Sequence, residues 1–173
     1  MLAGLLGTLL LAGAADSPLA SLLPAKEALP ACAKLFVPPA GAAADGPCGS
    51  SGNPYASRDP KFVTCFAQVV LDIGKVPGVK ADEASEAALA TYQSRAEMGL
   101  LAVAFKTPQA AKAVAASLER ALAGEAAEGK RGEPRTAVVT RGNSVGFAAC
   151  DSMFDDACCQ QMLGLVKDLW GKP

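Results

Sequence analysis

Cysteines are the residues of this chain whose number and spacing most readily suggest chemistry. The six cysteines stand at Cys32, Cys48, Cys65, Cys150, Cys158 and Cys159. Thiolates bind copper(I) or zinc and carry redox chemistry, whereas in an oxidising compartment the same side chains form structural disulfides. Cys150, Cys158 and Cys159 are therefore the candidates for a thiol or soft-metal site. No C-x-x-C pair is present, so a thioredoxin-like redox pair has no support in the sequence.

Histidine is absent from the chain. This removes the commonest general base, the commonest zinc ligand and every Ser-His-Asp or Cys-His arrangement. Residues 142–146, GNSVG, match G-x-S-x-G by letter. A nucleophile elbow needs a strand before the serine, a helix after it and a histidine base, and here a strand is predicted to follow. We therefore predict no catalytic residue and no bound cofactor.

An acidic cluster precedes the last predicted helix and consists of Asp151, Asp155 and Asp156. A calcium loop requires more oxygen ligands and a glycine at a defined position. Capping of the helix and interaction with its dipole explain the same residues more simply. We therefore predict no metal site here.

Residues 1–15, MLAGLLGTLLLAGAA, are apolar and carry no charge. They are too few to span a bilayer well, which takes about 20 apolar residues, and residues 12–14 match an A-x-A cleavage site. These features predict a secretory signal peptide cut after Ala14 or Ala15, although the usual basic residues are missing. An uncleaved anchor or a buried N-terminal helix is the alternative. Export would make the protein secreted or periplasmic, with no transmembrane segment in the mature chain.

In an oxidising compartment the six cysteines would form up to three disulfides, for which fifteen connectivities exist. Cys48 and Cys65 bracket a Gly/Pro/Ser/Asn-rich loop, which a bridge would stabilise by on the order of 3 kcal/mol. Cys150 would pair with Cys158 or Cys159. The other member of that adjacent pair would then reach Cys32, in the N-terminal segment.

Residues 98–124 carry the clearest structural signal. Residues 99–105 form an apolar run typical of a strand buried on both faces. Thr107 and Pro108 are a helix N-cap and a first helical residue, and the apolar spacing that follows predicts a helix over 108–123 ended by Gly124. Its alanine-rich face should lie close against a sheet.

The other elements are predicted less directly. Residues 61–73 are rich in β-branched and aromatic residues and favour a strand, with a short helix as the alternative. Residues 82–90 fit a helix, but we favour a hairpin in which 89–94 pairs with 99–105. A second hairpin is predicted for 136–140 and 144–149, and a last helix for 157–170.

This order of elements predicts an α+β fold: a two-layer sandwich with an antiparallel sheet, helices packed on one face, and disulfide staples. We divide the chain into a signal peptide at 1–15, an irregular cysteine-containing segment at 16–60 and an α+β domain at 61–173. Tyr55 and Arg58 lie in the loop before that domain, where exposed side chains can bind a ligand but more often pack down.

The net charge of −1 gives no field that would attract nucleic acid or an anionic membrane. We therefore predict an exported, non-enzymatic binding or envelope-interaction module that binds a protein or a small molecule. Two alternatives stay open: a thiol- or metal-dependent redox protein or enzyme, and a structural subunit of an envelope assembly. The alanine-rich composition favours a bacterial source.

Overall fold

The computed structural model of the chain describes residues 17–37, 48, 50, 52–127 and 135–172. The predicted signal peptide lies outside the described residues. The strands are β1 (Lys34–Leu35), β2 (Tyr55–Ser57), β3 (Ala84–Gln93), β4 (Glu97–Phe105), β5 (Thr136–Arg141) and β6 (Ser144–Cys150). The helices are α1 (Pro60–Gly74), α2 (Pro108–Ala127) and α3 (Asp156–Gly171), and short 3-10 turns cover Ala20–Leu22, Lys26–Ala28 and Ala81–Glu83.

The strands form one antiparallel sheet in the order β1-β3-β4-β6-β5, and β2 also pairs with β3. The predicted α+β class is confirmed. The favoured hairpin is also confirmed, since β3 and β4 pair with each other and, apart from the 3-10 turn that ends at Glu83, residues 82–90 are strand. The hairpin of β5 and β6 turns at Gly142, whose φ of 60° lies in the left-handed region that glycine tolerates.

Helix α1 occupies the segment for which a strand was predicted, so that prediction is wrong. Asp59 caps the helix by accepting hydrogen bonds from the backbone N–H groups of Lys61 (2.9 Å) and Phe62 (3.2 Å), and Pro60 is its first residue. The buried positions recur every three or four residues, as one face of a helix requires. They are Phe62, Val63, Phe66, Ala67, Val70, Leu71 and Gly74.

Helix α2 is confirmed at its start, where the Thr107 hydroxyl accepts from the N–H of Ala110 at 3.2 Å. Ala111, Val114 and Leu118 are fully buried on the face towards the sheet. The predicted end at Gly124 is wrong, because the helix continues to Ala127. A glycine inside a helix weakens it by about 1 kcal/mol and does not by itself end it.

The helices cover both faces of the sheet, not one face as predicted. α1 and α2 pack over one face, and α3 packs with residues 17–29 over the other. The physical reason lies in β4, whose residues from Leu100 to Phe105 are all buried. A strand that is apolar on both faces needs cover on both.

Candidate functional site

All six cysteines form disulfides: Cys32–Cys158, Cys48–Cys65 and Cys150–Cys159. The Cα–Cα distances are 5.8, 5.8 and 6.1 Å, within the range that a disulfide needs. The structure therefore chooses among the pairings that the sequence left open. The thiols considered for metal or redox chemistry are all engaged, and no cysteine is free.

The three aspartates before α3 each have a local structural partner. The carboxylate of Asp155 accepts from the N–H of Cys158 at 2.9 Å and caps the helix, as predicted. Asp156 forms an ion pair with Arg135, and the carboxylate of Asp151 accepts from the N–H of Met153 at 2.8 Å. In the part of the chain that the structure describes, no group of three or more Cys, Asp or Glu side chains could hold a metal ion.

The GNSVG segment forms a hairpin turn followed by a strand. Ser144 is the first residue of β6, and Asn143 donates its side-chain amide to the backbone carbonyl of Phe105. A nucleophile elbow would place the serine between a strand and a helix. The backbone therefore does not present Ser144 as a nucleophile.

Glu86 is the one charged residue that is buried among those described, and it was not predicted from the sequence. Its carboxylate accepts from the Ser17 hydroxyl, from the N–H of Leu19 at 3.3 Å and from Nε of Arg58 at 3.2 Å. Arg58, a possible ligand-binding residue by sequence, is thus the ion-pair partner of a buried carboxylate. The predicted strand began at residue 89, so strand alternation did not reach residue 86; β3 in fact begins at Ala84 and places Glu86 on the same face as the buried Ala88.

Two aromatic side chains fasten the N-terminal segment to the rest of the molecule. The Tyr92 hydroxyl donates to the carbonyl of Pro24 at 3.1 Å, and Nε1 of Trp170 donates to the carbonyl of Leu22 at 3.0 Å. Burial raises the pKa of the Tyr92 phenol, so it remains a donor. Trp170 and Phe154 are both buried in the core.

The outer edge of β3 is covered by two short strands, β1 and β2, with an asparagine between them. The Asn53 side chain donates to the carbonyls of Phe36 (2.7 Å) and Thr91 (2.6 Å) and accepts from the N–H of Thr91 (2.7 Å). Tyr55 packs edge-on against Phe62, with ring centroids 4.8 Å apart. Within the described structure, the Tyr55 side chain therefore packs against α1.

The clefts on the described surface include one at the end of α1 and one beside Leu19. The larger, about 420 Å³, lies at the end of α1 and includes Gln68 and Asp72, whose side chains bond each other at 2.7 Å. The smaller, about 250 Å³, lies between Leu19 and Ser144 and is below the usual volume of a small-molecule site. Neither cleft gathers groups that define a reaction.

The fold and these contacts define a small α+β module in which disulfides and single polar anchors hold the less regular parts. Comparisons with protein-family models, curated proteins and solved structures found no match to this chain. Among the described residues, no helix has the length and apolar character needed to cross a membrane.

Proposed function

We propose that the protein is an exported binding or envelope-interaction module, secreted or periplasmic, with no catalytic role. The observation that carries the proposal is the engagement of all six cysteines in three bridges. Structural disulfides persist in oxidising compartments and are rare where glutathione and thioredoxin keep thiols reduced. The alanine-rich composition agrees with a bacterial source.

The positions of the bridges support a structural role for them. Cys32–Cys158 links the irregular N-terminal segment to α3 across 126 residues of sequence. Cys48–Cys65 ties the loop before β2 to α1. Each bridge joins a non-helical residue to a helix, and each limits the unfolded chain, the longer loop of Cys32–Cys158 more than the shorter one.

The alternative of a thiol-dependent enzyme has less support. Cys158 and Cys159 are 1% and 0% exposed, so a substrate or a reducing thiolate has poor access to either sulfur. The aspartates and Ser144 occupy capping, ion-pair and strand positions. A binding function requires none of these groups to react.

The intact mass of the protein exported by its own host tests this proposal, measured after alkylation with and without prior reduction. We expect a mass that lacks residues 1–14 or 1–15, with no alkylation before reduction and six alkylations after it. A full-length mass with freely alkylated thiols would contradict both export and the structural role of the cysteines.

A matched pair of variants tests the position of the cleavage site. Ala14→Arg combined with Ala15→Arg removes the small residues at both cleavage positions and should leave the leader attached. Leu9→Ile keeps the leader apolar and should be processed like the unchanged chain. Equal processing of the two variants would show that the cleavage site lies elsewhere.

A further inference from the structure

Strand β5 is an edge of the sheet, and its hydrogen bonds to β6 fix which of its backbone groups face outwards. Arg141 pairs with Ser144, and the N–H of Cys150 donates to the carbonyl of Arg135 at 2.9 Å. Odd-numbered residues of β5 therefore bond to β6. By the same alternation, the N–H and C=O groups of residues 136, 138 and 140 point away from the sheet.

No described strand pairs with this outer edge. Its sequence, TAVVTR, has no proline, its one charged residue is Arg141 at the end of the strand, and its pairing with β6 is regular, without a bulge. Soluble proteins usually protect a sheet edge with a proline, with charged side chains, with a bulge or by covering the edge with another element. The edge of β3 is covered, by β1 and β2, whereas the edge of β5 is uncovered among the described residues.

We propose that the outer edge of β5 is the interface with a second copy of the chain, paired antiparallel about a two-fold axis at Val138. The outward residues read Thr136, Val138, Thr140, which is the same sequence in both directions. The axis therefore places Thr136 opposite the partner's Thr140, and the two valines opposite each other. Such threonine and β-branched pairs stabilise antiparallel strands. Because both copies use the same edge, the two-fold contact ends at a dimer and does not extend into a filament.

The charges at the two ends of the strand weaken this pairing at low ionic strength. The two-fold register places Arg135 opposite the partner's Arg141, and like charges in that position repel. Asp156 offsets the repulsion, since it is paired with Arg135 and its side chain is 84% exposed. Added salt should screen the remaining repulsion and strengthen the association.

A second copy fits this edge better than an unrelated strand. An occupant must supply an extended, β-branched and nearly uncharged segment whose own edge is free. Every copy of this chain presents such a segment at the same place, so no further partner is needed. The dimer does not depend on export. The intact-mass measurement tests export, and the two experiments below test the dimer, so one proposal can fail while the other stands.

Cysteine cross-linking tests both the interface and its register. In Val138→Cys the two new thiols would lie opposite each other, with Cα atoms about 5.5 Å apart, which a disulfide can span. In the control Thr140→Cys the two thiols would be separated by about four residues along the strands, roughly 13 Å. We expect a cross-linked dimer under mild oxidation for the first variant and none for the second. Equal cross-linking of both, or of neither, would overturn the proposal.

Sedimentation over a range of protein concentrations tests the association without a cross-link. Val138→Pro removes an outward N–H and leaves the hydrogen bonds to β6 intact. Each dimer loses two hydrogen bonds, so we expect dimerisation to weaken roughly 30-fold while the circular dichroism spectrum is unchanged. If this variant does not fold, the cross-linking pair decides the question.

The control for sedimentation is Val69→Ser, which removes an exposed apolar side chain from α1. It should dimerise like the unchanged chain. Loss of the dimer in Val69→Ser would place the interface on α1 and overturn the proposal. An unchanged chain that is monomeric, including one that instead binds extended peptides along β5, would overturn it as well.

Discussion

Helices α1 and α2 cover one face of the sheet with a continuous apolar layer. The other face is covered by α3 and by an N-terminal segment whose only helical structure is two short 3-10 turns. We call this segment, residues 17–33, the irregular layer. The helical layer satisfies its own backbone hydrogen bonds. The irregular layer is held by the Cys32–Cys158 bridge and by Glu86, Tyr92 and Trp170.

The difference shows how a chain can cover a sheet face without a second pair of helices. An irregular segment has few internal hydrogen bonds, and each buried polar group needs a partner elsewhere. Single anchors supply those partners, and a bridge limits the freedom of the unfolded segment. The stability of this layer should therefore depend on oxidation far more than that of the α1–α2 layer.

The largest expected effect comes from removing the long-range bridge. Cys32→Ala with Cys158→Ala opens a loop of 126 residues, and we expect a loss of about 5 kcal/mol in the free energy of unfolding. Cys48→Ala with Cys65→Ala opens a loop of 17 residues and should cost about 3 kcal/mol. Denaturant unfolding of the two double variants measures the difference. A larger loss from the shorter loop would contradict the comparison.

A glycine pair compares the packing of the two faces. A Cβ added to Gly146 would lie 2.7 Å from Cζ2 of Trp170 and 2.8 Å from Cγ2 of Val139, whereas a Cβ on Gly99 would meet nothing within 4 Å. We expect Gly146→Ala to cost about 2 kcal/mol, because α3 must shift. Gly99→Ala should be neutral or slightly stabilising. Thermal unfolding of both variants checks this, and equal costs would show that Trp170 does not pack closely on β6.

The buried carboxylate should have a smaller effect. Glu86→Gln keeps the shape of the side chain but removes its charge, so the hydrogen bonds from Ser17 and Arg58 weaken. Arg58 is largely exposed, so we expect a loss of only about 1 to 2 kcal/mol. The control is Glu97→Gln on the exposed start of β4, which should change the free energy of unfolding by less than about 0.5 kcal/mol. Similar losses in both variants would argue against the anchoring role of Glu86.

The smallest expected effect is that of Tyr92→Phe, and it depends on pH. The variant loses the hydrogen bond to Pro24, which should cost about 1 kcal/mol at neutral pH. Burial raises the pKa of Tyr92 in the folded state, so above about pH 10 the unfolded phenol ionises first and stability falls. Unfolding curves from about pH 8 to 11 should therefore converge for the two proteins. A gap that stays constant would contradict a buried, protonated Tyr92.

The sequence predicted those elements whose local signals agree with their packing. Thr107 and Pro108 marked the start of α2, and the apolar run of β4 marked a strand buried on both faces. For α1 the β-branched and aromatic composition suggested a strand, although Asp59 and Pro60 carried the same cap signal as the start of α2. A cap followed by apolar spacing of three and four residues was the better guide.

Contacts between residues far apart in the chain could not be predicted from the sequence, for a physical reason. The pairing of Cys32 with Cys158, and of Glu86 with Ser17, depends on how segments meet in space. Loop length and compartment narrowed the disulfide pairings but did not choose between Cys158 and Cys159. The predicted strand began at residue 89, so the burial of Glu86 and the groups that satisfy its carboxylate both emerged only with the full extent of β3.

Hydrogen exchange in the Cys32→Ala, Cys158→Ala double variant tests most directly whether the bridge holds the irregular layer. In the unchanged protein, amides of residues 17–33 that bond within their turns should exchange at a free energy close to that of α1 and α2. In the variant, we expect the exchange free energy of residues 17–33 to fall well below that of the two helices, because the layer opens on its own. If both sets of amides fall together and stay equal, packing alone holds the irregular layer, which contradicts the anchoring role of the Cys32–Cys158 bridge.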